Sequence, residues 1–293
     1  MQAASTTKSG SSPLMKLNDG RSMPQLGLGL MRFGGEGETV AVINNAVNAG
    51  YRLFDTASLY GTEPQTGAAF RGLASMRSEL FLTTKLWNDS HGAEATIRAF
   101  DASMERLGLE YLDLYLVHWP LPMFDRYVDT WRAMIKLREQ GRVRSIGVSN
   151  FTEAHLRRII DETGVAPAVN QVEMHPYFQQ RALRAFDADH GIVTQAWSPM
   201  GGSFVKVLED PVVGRLAKKH GRSASQIVLR WHLTCGVSLI PKATSPKHLA
   251  ENMASYELEL DEEDLAALSA LDRADGRAGP EPAVFDMGAS ASK

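Results

Sequence analysis

Four residues of unlike chemistry, Asp55, Tyr60, Lys85 and His118, lie at or just beyond the ends of apolar runs. A tyrosine with an ordinary pKa near ~10 is a poor acid at neutral pH, but a nearby ammonium stabilises its phenolate and eases proton donation. Lys85 is the candidate ammonium. A lysine partly buried tends to lose its proton unless a carboxylate keeps it charged, a task that falls to Asp55. A neutral His118 would add a hydrogen-bond donor suited to orienting a carbonyl oxygen. Together these groups would make a proton-delivering oxyanion site of the kind that carbonyl reduction by hydride requires. Taken singly, each has an ordinary reading: Tyr60 as a packed surface aromatic, Lys85 as a snorkelling strand lysine, Asp55 as a turn cap, His118 as a satisfied core histidine.

The elements that must position them are legible as a rhythm. Apolar runs of strand length recur at residues 26–31, 53–58, 80–87, 112–119, 143–150, 168–174, 192–199 and 237–243. Between them, residues 38–49 put Val42, Ala46 and Ala49 on one stripe, and residues 93–107 do the same with Ile97, Phe100, Met104 and Leu107, the pattern of amphipathic helices. Gly50, Gly108, Gly141, Gly164, Gly191 and Gly221 stand where helix C-caps are expected, just before the next strand. Eight alternating β and α units imply a parallel sheet covered by helices. An open sheet would concentrate its site at one switch point, whereas a closed barrel collects residues from all strand ends. Here Asp55, Lys85, His118, Ser149, Asn150, Gln171, Glu173, Ser198 and Lys242 spread evenly over the strand ends. The expected fold is therefore α/β, a (β/α)8 TIM barrel. No G-x-G-x-x-G or G-x-x-x-x-G-K-[ST] run is present. Asn18-Asp19-Gly20 between Leu17 and Met23 reads as the turn of an N-terminal β-hairpin. Residues 1–13 read as a disordered arm, 14–286 as one barrel domain and 287–293 as a disordered tail.

Composition narrows the function classes. The 293 residues carry 31 Lys and Arg against 34 Asp and Glu, so no basic excess favours nucleic acid as a partner. The longest apolar stretch, Leu114 to Phe124, contains His118 and two prolines and is far short of the ~20 residues a membrane span needs. A single cysteine, Cys235, excludes an intrachain disulfide and fits a cytoplasmic protein. His175 and His190 lack partners at metal-ligand spacing, so no metal is expected. The acidic run Asp261 to Asp264 reads as the favoured charge at a helix N-terminus.

The motifs D-T-A-x-x-Y-G, T-K-L-W, L-V-H-W-P, G-V-S-N-F, N-Q-V-E-x-H-P and I-P-K follow in this order, each at the end of a different strand. With them the chain resembles the aldo-keto reductase family from about Lys16 to Asp286. KLWND, QVEMHPYF and AWSPM make it most similar to bacterial members related to 2,5-diketo-D-gluconate reductase. The resemblance implies reduction of aldehydes, ketones or keto-sugars by a monomer, with NADP(H) bound without a Rossmann domain and the hairpin closing the barrel bottom. It implies Tyr60 as general acid/base, Lys85 and Asp55 as its tuning pair, and His118 as substrate orienter. Ser149, Asn150 and Gln171 would hold the nicotinamide carboxamide, and Trp197 would stack on the ring. Ser198, Pro199 and Met200 would also contact the cofactor; the stretch Met200-Gly201-Gly202-Ser203 reads equally as a loop closing over the pyrophosphate or as an ordinary connector. Lys242, Ala243, Thr244, His248, Glu251 and Asn252 match the segment that receives the adenosine end. There His248 replaces an arginine and Ala243 a serine. An imidazole largely neutral at pH 7 grips a 2'-phosphate less well than a guanidinium, which implies relaxed preference and NADH use. Met31, Leu59, Trp87, Trp119 and Phe124 would wall an apolar substrate pocket. Two other readings stay open at this point: a Schiff-base aldolase using Lys85, and a nicotinamide-binding sensor on the same scaffold.

Overall fold

The computed structural model describes residues 12–31, 36–202 and 205–288. Strands β1 (Leu14–Lys16) and β2 (Ser22–Pro24) form the expected hairpin, with Leu14 opposite Pro24 and Lys16 opposite Ser22. Gly20 makes the turn at φ +86°, in the left-handed region that glycine enters without strain. Eight parallel strands follow: β3 (Gly27–Gly29), β4 (Leu53–Asp55), β5 (Phe81–Leu86), β6 (Leu112–Val117), β7 (Val143–Ser149), β8 (Val169–Glu173), β9 (Val193–Trp197) and β10 (Ser238–Leu239). They pair in sequence order. A parallel bridge between Leu26 and Leu239, with Leu239 N donating to Gln25 O and Gly29 N to Pro241 O, brings the two edges together. The fold is the expected (β/α)8 barrel.

Helices α1 (Glu36–Asn48), α2 (Glu63–Gly72), α3 (Ala93–Leu107), α4 (Tyr127–Glu139), α5 (Glu153–Thr163) and α6 (Arg181–Asp189) each follow one strand. The connection from β9 to β10 holds two, α7 (Pro211–His220) and α8 (Ala224–Thr234). Helices α9 (Pro246–Met253) and α10 (Glu262–Ser269) complete the set. Gly108, Gly164 and Gly221 cap their helices in the left-handed conformation, as the sequence led one to expect. Asp261 caps α10 by accepting from Asp264 N, which accounts for the acidic run. No helix among the described residues is long and apolar enough to cross a membrane.

Strand alternation creates two apolar layers. Leu53, Phe81, Leu114, Val169 and Val193 turn inward at the strand starts and pack with Leu17 and Met23 of the hairpin, which thus fills the barrel floor. Phe54, Leu82, Tyr115 and Val148 turn outward against the helices. Phe54 meets Phe70 of α2 edge-on at 5.6 Å between centroids, and Phe100 of α3 meets Tyr115 at 5.2 Å. Such pairs add about 0.5–1.5 kcal/mol beyond burial. Two chain-end boundaries shift. Ser12, expected within the polar arm, is buried; its hydroxyl bonds Tyr256 Oη at 2.9 Å and accepts from Leu26 N at 2.9 Å. Met287 and Gly288, expected in the tail, return to the barrel, where Asn88 Nδ2 donates to Met287 O at 2.8 Å. Residues 1–11 and 289–293 lie outside the described residues.

Candidate active site

Period two along the strands returns Asp55 and Lys85 to the barrel interior above Leu53 and Phe81, and His118 follows Leu114 and Leu116 in the same phase. Tyr60 ends a 3₁₀ turn, Ser58–Tyr60, pinned by Ser58 Oγ donating to Lys85 O at 3.0 Å and closed by Gly61 at φ +69°. Lys85 is the hub of the site. Its fully buried Nζ pairs with Asp55 Oδ1, donates to Thr56 O at 3.0 Å and reaches Tyr60 Oη at 3.5 Å. The His118 ring meets Tyr60 edge-on at 5.8 Å and Trp87 at 5.0 Å between centroids. The four sequence-predicted residues therefore converge from two strands, one strand end and one turn.

Burial opposes charge on each of these groups, and the neighbours decide the outcome. At Lys85 burial is outweighed by the Asp55 charge and then by Tyr60, so the ammonium is held above its ordinary pKa. Burial raises Asp55 as well, against the pull of Lys85 and Gln171. The two hydrogen bonds on that carboxyl assign the pair as ammonium and carboxylate. Burial, reinforced by the Lys85 charge, drives His118 well below 6.5, which makes its imidazole neutral at pH 7. Tyr60 corrects the sequence expectation. Burial pushes its phenol up by more than Lys85 pulls it down, so the ammonium limits a rise and does not produce a fall.

Sequence reasoning missed what stands behind Asp55. Gln171 Nε2 donates to Asp55 Oδ2 and to Gln195 Oε1, each at 2.7 Å, and Gln195 Nε2 donates to Ser238 Oγ at 2.9 Å. A string of amides thus crosses the barrel through β8, β9 and β10. Its only sequence signal is that Gln195 and Ser238 are polar at inward positions of otherwise apolar strands.

The expected carboxamide set is one bonded cluster. Ser149 Oγ donates to Gln171 O at 2.8 Å, and Asn150 Nδ2 donates to His118 O at 2.9 Å and to Ser149 Oγ at 3.1 Å. Trp197 Nε1 donates to Asn150 Oδ1 at 2.9 Å, which fixes the indole. Asn150 holds φ +61° and Ser198 φ +48°, sparsely populated values for residues with a Cβ that persist where surroundings over-determine them. Pro199 is buried, and Ser198 and Met200 are half-buried.

At the far side, Lys242, Thr244 and His248 are exposed and Ala243 is buried. Ser245 caps α9 by accepting from His248 N at 3.2 Å, and Pro246 has no N–H, so Lys247 N is the remaining donor of that turn. Asn252, within α9, is buried, and Glu251 pairs with Lys247 at 3.8 Å. Both are engaged within the fold.

Of the expected substrate wall, Trp119 is buried and Trp87 and Phe124 are half-buried, but Met31 and Leu59 are 44% and 47% exposed and form the rim. The C-terminal segment after Asp275, which by resemblance corresponds to a loop that shapes substrate choice, has no helical or strand period from which its side chains could be placed, and it supplies further wall. Phe285 packs on Trp119 at 4.2 Å between centroids, and the Gly288 backbone lies against the Trp87 indole. A cavity of about 220 Å³ lies beside this segment, bordered by Asn150, Glu173, Leu183, Arg277 and Pro282. Among the described residues, no group of three or more His, Cys, Asp or Glu side chains is arranged to hold a metal ion.

A model of the Aldo/keto reductase family matches residues 25–273. An aldo-keto reductase of Mycobacterium sp. (strain JLS) is 48% identical over 275 residues, covering 94% of this chain and 98% of the relative. The methylglyoxal reductase DkgA of Salmonella typhimurium is 46% identical over 272 residues, covering 93% and 98%. Among solved structures, an aspartate-to-alanine mutant of Gox0644 in complex with NADPH is 47% identical with a TM-score of 0.87, covering 93% of this chain and 98% of that one. An aldo/keto reductase from Brucella melitensis is 48% identical with a TM-score of 0.85, covering 89% and 100%. A match running from residue 25 to residue 273, carried by a barrel whose strand ends converge on one buried lysine, makes this chain a member of the aldo/keto reductase family.

Proposed function

We propose that the chain reduces aldehydes and ketones to alcohols with NADPH, Tyr60 delivering the proton. The observation that carries this reading is the buried Lys85 ammonium, held by Asp55 on one side and reaching Tyr60 Oη on the other, with a neutral imidazole beside them. When bound, the nicotinamide supplies the hydride. The phenol is the resting form of Tyr60 and gives its proton to the oxygen that gains charge, while the adjacent ammonium stabilises the phenolate left behind. His118, neutral and edge-on to Tyr60, would orient that oxygen.

The residues present fit the cofactor. Ser149, Asn150 and Gln171 offer hydroxyl and amide groups to a carboxamide. With both Gln171 N–H bonds taken by Asp55 and Gln195, its carbonyl oxygen is the group it can offer. Trp197, fixed through Asn150, provides a flat face. Ser198, Pro199 and Met200 would line the diphosphate path. Lys242, Thr244, His248 and the Lys247 N–H would take the adenosine phosphate, with the imidazole at His248 relaxing selectivity toward NADH. Glu251 and Asn252 would act from within α9.

Relatives named methylglyoxal reductase make methylglyoxal the first carbonyl to try. Among the described residues, five of the six exposed large apolar side chains, Met31, Leu59, Met123, Val284 and Met287, lie on strand-end loops or the C-terminal segment at the mouth, which favours carbonyls with apolar groups over keto-sugars. The reading includes one barrel domain acting as a cytoplasmic monomer. A Schiff base at Lys85 is opposed by the ammonium state that Asp55 maintains.

The test is loss of NADPH absorbance with methylglyoxal, hexanal, aromatic aldehydes, ketones and keto-sugars, wild type against Tyr60→Phe. The variant should lose about 10²–10⁴ in kcat and still bind NADPH. Cofactor binding without turnover on any carbonyl would leave a sensor and defeat the proposal.

A further inference from the structure

The carboxylate of Glu173, at the end of β8, is buried and faces three donors. Oε1 accepts from Ala278 N at 2.7 Å and lies 3.1 Å from His175 Nε2; Oε2 accepts from Gly279 N at 2.8 Å. Two consecutive backbone amides thus occupy the two oxygens of one carboxylate, a pairing that an uncharged isostere cannot reproduce. Burial pushes Glu173 up, but these three hydrogen bonds outweigh it, so the group is held ionised. Gly279 is needed at the contact. A Cβ there would fall 2.6 Å from Trp197 Cη2 and 2.9 Å from Glu173 Oε2. From this point the segment crosses the mouth to Phe285 on Trp119, Met287 on Asn88 and Gly288 on Trp87. Trp197 in turn donates to Asn150, which donates to His118 O. One continuous set of contacts therefore links the Glu173 carboxylate to both the substrate wall and the indole.

We propose that Glu173 is a positioning residue whose carboxylate clasps Ala278 and Gly279, holding residues 276–288 across the barrel mouth and seating Gly279 on Trp197. Its consequence for catalysis rests on the reductase reading above; the clasp itself does not. With the clasp closed, Phe285 and Trp119 form one wall over a bound carbonyl. With it open, that wall is lost and Tyr60, Lys85 and Asp55 are unchanged.

The experiment compares wild type, Glu173→Gln and Gly279→Ala by hydrogen–deuterium exchange of the full chain and by steady-state reduction of hexanal. Glu173→Gln turns an NH₂ group toward one of the two amides. Gly279→Ala drives the strap outward without altering the carboxylate, and it serves if the first variant folds poorly. Both should exchange about ten- to a hundred-fold faster over residues 276–288, with peptides of β5 and β6 unaffected, and both should raise KM for hexanal more than they lower kcat. Unchanged exchange over 276–288 in both variants overturns the clasp; a loss confined to kcat overturns its role in shaping the substrate wall. A wild type inert toward every carbonyl would sink the reductase reading alone, because exchange still decides the clasp.

Discussion

Replacing Asp55 by asparagine preserves the shape of the side chain and removes the one full charge that faces Lys85. The ammonium then retains Thr56 O and Tyr60 Oη in a fully buried position. Breaking a buried ion pair by removing one partner costs about 3–5 kcal/mol. Lys85 has an escape, which is to shed its proton. That step costs about 1.4 kcal/mol for each pH unit below the ordinary lysine value near 10.4, hence about 4.6 kcal/mol at pH 7 and about 2 kcal/mol at pH 9. These figures cap the penalty, and the cap falls as pH rises. In the wild type the folded Lys85 value is raised, so its pairing stabilises the fold below about pH 10.4 and is lost only as pH climbs through the higher folded value. In the variant the sign reverses. Burial without a counter-charge lowers the folded value, the folded state binds fewer protons than the unfolded one, and stability rises with pH toward 10.4. Urea unfolding followed by tryptophan fluorescence at pH 7 and pH 9 measures the difference between the two proteins directly. A deficit that stays constant or grows between those pH values would refute the account of Lys85 as a buried ammonium held by Asp55.

Three further outcomes follow from particular positions. Gly67 in α2 faces α3 so closely that a Cβ would stand 1.9 Å from Leu107 O; Gly67→Ala should cost about 3 kcal/mol, whereas Gly214→Ala in α7, which meets nothing within 4 Å, should gain up to about 1 kcal/mol, both read from thermal unfolding. His248→Arg should raise the NADPH-to-NADH ratio of kcat/KM by about tenfold or more through a permanent, bidentate charge; an unchanged ratio would remove His248 from phosphate recognition.

The strands and the site lysine were legible because they obey short-range rules. Glycines such as Gly108 and Gly164 mark helix ends by backbone conformation alone, and period two places Asp55 and Lys85 on one side of their strands. Other features depend on partners distant in the chain. Gln171 reads from its motif as a nicotinamide residue, yet its amide nitrogen supports Asp55, 116 residues away. The acidity of Tyr60 depends on how far burial exceeds the pull of one ammonium, a balance that residue types do not disclose. The strap over the mouth is held by backbone amides of Ala278 and Gly279, and a backbone donor leaves no mark in a sequence. Met31 and Leu59 have the apolar character expected of a wall, but loop geometry puts them at its edge.

The seam of the barrel has a consequence in time. Residue 26 meets residue 239 there, so the ring is complete only when nearly the whole chain has been made. A ribosome adding about 5–20 residues per second leaves β3 as an open edge for roughly ten seconds or more. Such an edge is a template for wrong partners. The first barrel strand is only three residues long and carries a glycine at either end. That brevity offers a waiting neighbour little to pair with, and it suits an edge that must stay unclaimed until its own last strand arrives.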